Sequence, residues 1–78
     1  MRLSKITFDE AKKEVACWQT GHQGSFCEAI LSAYSKADSL NKVDLQYAYP
    51  NLTRAYDDWY YCKDSNAWIK SVLEMGDL

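Results

Sequence analysis

Seventy-eight residues allow one domain. A chain this short buries only roughly 60–65% of the surface its unfolded form exposes. Three Trp, six Tyr and two Phe within a 47% hydrophobic composition, beside one Pro and three Gly, exclude a disordered chain. Nine Lys/Arg against eleven Asp/Glu leave a formal charge of −2. That excludes a basic field for nucleic acid or anionic lipid, and the acids are too sparse to mimic a duplex carrying about one charge per 1.7 Å of axis.

The helix punctuation reads clearly in chain order. Thr7-Phe8-Asp9-Glu10 has the form of a capping box, with Thr7 as cap and Glu10 reaching back. Phe8, Ala11, Val15 and Trp18 follow at helical spacing, and Gly21 suits the left-handed residue that closes a helix. This predicts a first helix over about 8–20. Gly21-His22-Gln23-Gly24 reads as a helix–helix turn rather than a phosphate loop, because no Lys-Ser/Thr follows the second glycine and a helix precedes it.

Ser25-Phe26-Cys27-Glu28 is a second capping-box pattern. Behind it Phe26, Ala29, Ile30, Ala33, Tyr34 and Ala37 form an apolar stripe that Leu31 widens, predicting a helix over about 26–38. Asn41 is the expected cap of a third helix over 42–49 carrying Val43, Leu45, Tyr47, Ala48 and Tyr49. Pro50 ends it and suits the first turn of the next helix, over about 51–63, whose inner face is Leu52, Ala55, Tyr56, Trp59 and Cys62. Ser65 or Asn66 is the expected cap of a last helix over about 66–75 with Trp68, Ile69, Val72 and Leu73.

No segment of four to eight residues alternates as a strand, and no Asn-Gly or Asp-Gly hairpin turn occurs. The expected fold is therefore all-α: a compact bundle of four to five short helices in one domain, 1–78. Its expected core is Phe8, Val15, Trp18, Phe26, Ile30, Ala33, Leu45, Leu52, Trp59, Trp68, Val72 and Leu73. The opening residues lack the apolar region of a signal peptide, and no apolar run reaches the about 18 residues of a membrane span. An odd number of cysteines then suits reduced thiols in a cytoplasm. In that setting the sequon Asn51-Leu52-Thr53 is a coincidence.

The constellations that could carry chemistry are few. Cys17-x4-His22-x4-Cys27, with Cys62 further on, offers the ligand types of a structural zinc site, but the tight Cys-x2-Cys pair is missing. The expectation is small buried thiols, an exposed turn histidine, no metal and no cofactor. His22, the only histidine that could serve a nucleophile as base, lies in a Gly-flanked turn where an exposed role is expected. Asp9-Glu10 sit in a first helical turn where the helix dipole favours acids. Asp57-Asp58, one residue apart on a helix, point about 100° from each other and read as a solvated face. No enzyme is expected.

The aromatic run Tyr56-Asp57-Asp58-Trp59-Tyr60-Tyr61, with Tyr47 and Tyr49 before it, is more telling. A helix cannot turn all these rings inward, and exposed Tyr is enriched at interface hot spots. The candidate protein-binding residues are Tyr47, Tyr49, Asp57, Asp58, Tyr60 and Tyr61. Base stacking on such rings needs a basic groove, which Asp57 and Asp58 against Arg54 and Lys63 do not supply.

Gly24-Ser25-Phe26, Ala29, Ala33, Lys36-Ala37-Asp38, Asn41, Leu45, Ala48-Tyr49-Pro50 and Trp59-Tyr60 together resemble the pattern of small all-helical proteins of bacteriophages and mobile elements. The likeness spans about Gly21 to Tyr61 and rests on two helix starts and one corner. It lends no catalytic residue. It implies an accessory factor that binds a host protein and inhibits or redirects it, a host defence system such as CRISPR among the targets. The alternatives are a self-associating module, closing a homodimer through the same rings, and a small zinc- or nucleic-acid-binding module.

Overall fold

A threonine hydroxyl and a glutamate three residues on begin the first helix. In the computed structural model, which describes residues 2–21 and 25–75, Thr7 Oγ1 accepts the Glu10 N–H at 3.1 Å and Glu10 Oε1 accepts the Thr7 N–H at 2.9 Å. This capping box opens α1, Phe8–Gln19. Gly21, at φ 94°, takes the left-handed conformation past its end. A single 3₁₀ turn, Leu3–Lys5, precedes α1.

The other helices are α2 Phe26–Lys36, α3 Ser39–Ala48, α4 Pro50–Tyr60 and α5 Ser65–Met75. Their starts refine the sequence reading. Ser25 Oγ accepts the Glu28 N–H at 3.0 Å, but the reciprocal bond from Glu28 is not made, and that side chain is buried. Asp38, not Asn41, caps α3, accepting the Asn41 N–H at 2.8 Å. Asp64 likewise takes the Ala67 N–H at 3.1 Å at the head of α5, in place of Ser65 or Asn66. In both cases a carboxylate beside the positive end of a helix outcompetes a neutral cap further along.

α1 and α4 are the central pair, and α5 and α2 each pack on both. Ala11 and Val15 of α1 and Leu52 and Ala55 of α4 are completely buried. Ile6, Leu31, Tyr34, Tyr56 and Val72 close around them. The amide of Asn51 donates to the Ile6 carbonyl at 2.9 Å, pinning the chain before α1 to the head of α4. Phe8 is half-buried against the core and its ring is also covered by cations: the Arg54 guanidinium lies 4.1 Å and the Lys12 ammonium 4.9 Å from its centroid.

Three expected core residues lie outside the core. Phe26 is 65% exposed, Leu73 44%, and Ala33 is exposed as well. In α2 the buried row is Cys27, Leu31 and Tyr34, not Phe26, Ala29 and Ala33. Both rows have helical spacing. The inward one carries the larger area, because two of its three rivals are alanines. No helix among the described residues is long and apolar enough to cross a membrane.

Candidate protein-binding surface

α4 has to bury one face against α1 and still carry three consecutive aromatics at its end. The result is a chain of rings that starts in the core and finishes in solvent. Tyr34, almost wholly buried, meets Tyr56 edge-on at 5.0 Å between centroids. Tyr56 stacks on Tyr60 at 5.8 Å with planes 12° apart. Tyr60 meets Tyr61 edge-on at 5.0 Å. Trp18 and Trp59 brace the same cluster, 5.8 Å apart and each within 6 Å of Tyr56. Offset and edge-to-face pairs of this kind each add about 0.5–1.5 kcal/mol beyond burial. Tyr60 and Tyr61 are thus held from below while remaining 59% and 78% exposed.

The two aspartates of this run are occupied within the fold. Asp57 is half-buried and accepts the Tyr34 hydroxyl through both carboxylate oxygens at 3.2 and 3.3 Å. Gln46 of α3 donates to the same hydroxyl at 2.9 Å, so one tyrosine oxygen joins α2, α3 and α4. Asp58 accepts the Trp68 indole N–H at 2.8 Å and so ties α5 to α4. Trp59 differs: its indole N–H is buried with no hydrogen-bond partner among the described residues. Burial holds the Tyr34 hydroxyl above its ordinary pKa, with the nearby Asp57 pushing the same way and Gln46 opposing. Burial raises Tyr56 as well, helped by Tyr60.

The six candidate contact residues do not form one ring cluster. Tyr60 and Tyr61 belong together, with Asp57 and Asp58 within about one helical turn before them. Tyr49 instead packs edge-on against Phe26 at 6.5 Å. Tyr47 stands 91% exposed on α3. Sequence reasoning passed over the outer face of α3, where Leu40 is 80% and Val43 59% exposed beside Tyr47. The signal was their i, i+3, i+7 spacing, hidden because a start at Asn41 leaves Leu40 outside the helix.

Compared with known proteins, the chain matches no family model, no curated protein and no solved structure.

The thiols divide differently. Cys27 is buried and Cys17 half-buried, and both feel the carboxylates of Glu14 and Glu28. Burial, then Glu14, pushes the Cys27 thiol up to about 12, and burial raises Cys17. Cys62 lies past the end of α4, half-buried. His22 falls outside the described residues. Among the described residues no three His, Cys, Asp or Glu side chains are grouped to hold a metal ion.

Proposed function

We propose that this chain is a non-enzymatic accessory factor that binds a host protein through the Tyr60–Tyr61 corner and inhibits or redirects it. The observation that carries the reading is the chain of rings from Tyr34 to Tyr61: two exposed tyrosines anchored on a buried aromatic stack. Anchoring lowers the side-chain entropy lost on binding, which otherwise costs about 0.5–1.5 kcal/mol per mobile side chain. Asp57, Asp58 and Asp64 outnumber Lys63 around the corner, and Arg54 is turned onto Phe8. The surface therefore suits a partner that presents Lys or Arg among apolar side chains.

Two further features support a binding role without catalysis. Six carboxylates are taken up by the fold: Glu10, Asp38 and Asp64 in caps, Asp57 and Asp58 in hydrogen bonds, Asp9 with Lys12 at 3.4 Å. The resemblance to phage and mobile-element proteins adds the context, in which a cytoplasmic host defence system such as CRISPR is a fitting class of target.

The test is affinity capture of the tagged chain from host lysate, paired with a Tyr60→Ala/Tyr61→Ala variant. One stoichiometric host protein should be retained by the parent and lost by the variant, since a hot-spot tyrosine contributes at least about 2 kcal/mol. Retention that is equal for both chains sinks the assignment of the corner.

A further inference from the structure

α3 buries none of its residues, yet it is far from polar. At 100° per residue, Leu40, Val43 and Tyr47 fall within an arc of about 60°. Lys42, Leu45 and Gln46 centre about 140° away. That second face is the inward one: Lys42 lies 5.1 Å over the Tyr34 ring, Gln46 bonds its hydroxyl, and Leu45 packs on the core. So the helix has two apolar sides, and the fold uses one. The outer side is 80%, 59% and 91% exposed at its three positions.

We infer that the outer face of α3 is the contact by which two copies of this chain pair. Area is the first argument. A large ring offers about 150–250 Å² and an aliphatic side chain somewhat less, so the stripe presents on the order of 400–500 Å². A stable dimer needs about 800 Å² per partner, with about 65% of it apolar in homodimers. The stripe supplies nearly all of that apolar share, and its polar flanks supply the remainder.

Charge is the second argument. On one flank Asp44 and Lys36 line the same shallow cavity of about 380 Å³ with Asn41 and Leu45. One charge of each sign on that flank lets two copies approach without a like-charge excess, and a twofold contact is self-complementary by symmetry. The Tyr60–Tyr61 corner is the contrary case: its excess of aspartates would oppose a second copy. The α3 contact stands apart from the partner-binding reading and holds or fails without it.

Sedimentation equilibrium of the purified chain, from low micromolar to roughly 1 mM so as to cover weak affinities, tests the pairing. The parent should approach twice the 9.0 kDa chain mass. Leu40→Lys/Tyr47→Lys should weaken association at least ~30-fold, the equivalent of one hot spot, with an unchanged far-ultraviolet helix spectrum because both positions lie outside the core. Tyr60→Ala/Tyr61→Ala should still pair. A parent that stays monomeric throughout overturns the proposal. So does a dimer that survives the α3 substitutions, or one that is lost instead through Tyr60 and Tyr61.

Discussion

α3 and α4 are neighbours of nearly equal length, 10 and 11 residues, joined at Pro50, yet they sit in the molecule in opposite ways. α4 buries Leu52, Thr53, Ala55 and Tyr56 and is touched by every other helix. α3 buries nothing and grips the bundle by one edge. The difference lies in how each side is completed. α4 puts small and aliphatic residues where α1 must come close, and its charges elsewhere. α3 places apolar residues on two different sides, and one chain can cover only one of them.

The sharpest way to break the comparison is a matched pair of truncations. Leu52→Ala should cost about 2–5 kcal/mol in urea unfolding. Leu40→Ala, the same chemical change on the bare side of α3, should stay within about 0.5 kcal/mol at concentrations where the chain is monomeric. Equal costs would mean that α3 is covered in the folded chain.

Alkali should act next, and through the α4 stack. Tyr34 and Tyr56 have hydroxyls held above their ordinary pKa by burial, and the Cys27 thiol is pushed up to about 12. The unfolded chain therefore loses these protons first as pH rises. Stability is full below the ordinary thiol and phenol pKa values of about 8.5 and 10 and falls as pH climbs through the raised ones. Thermal melts between pH 7 and roughly 11 should show a falling midpoint, with the late phenolate absorbance appearing only as the helix signal is lost. A flat midpoint would deny that these groups are held up.

Tyr34→Phe removes the hydroxyl shared by Asp57 and Gln46. It should cost about 1 kcal/mol, because the bonds to the carboxylate are long and shared. Most of that loss should appear as faster amide exchange in α3, which loses its polar tie to the bundle. Smallest is the first cap. Thr7→Ala should cost about 0.5–1 kcal/mol. The Thr7 backbone N–H, then its hydroxyl, hold the Glu10 carboxyl below its usual range. The contribution of that box is present above the ordinary carboxyl pKa and fades as pH falls through the lowered one, so an acid titration of the Thr7→Ala chain should run flatter than that of the parent.

Local signals were legible in the sequence where one residue pair decides them. The box at Thr7 and Glu10, the left-handed Gly21 and the corner at Pro50 all stand as read, and with them the all-α class. What could not be read is which of two competing faces turns inward. α2 offers Phe26 and Ala33 on one row and Leu31 and Tyr34 on another, and periodicity fits both; packing against α1 and α4 chose the second. The same ambiguity hid the outer side of α3. At the candidate site the rings at 60 and 61 were readable as too many to bury. Their support by Tyr34, 26 residues earlier in the chain than Tyr60, was not, since nothing local joins them.

The placement of the three tryptophans gives the molecule an optical asymmetry. Trp18 and Trp59 lie in the ring cluster, Trp59 centred 6.2 Å from Tyr60, and Trp68 is fastened to Asp58. None sits on α3. Tryptophan emission from the native chain therefore reports on the ring cluster and α5, and none of it arises on α3. A ligand arriving at Tyr60 should shift the emission spectrum, whereas two copies meeting along α3 should leave its colour unchanged and betray themselves only by slower tumbling.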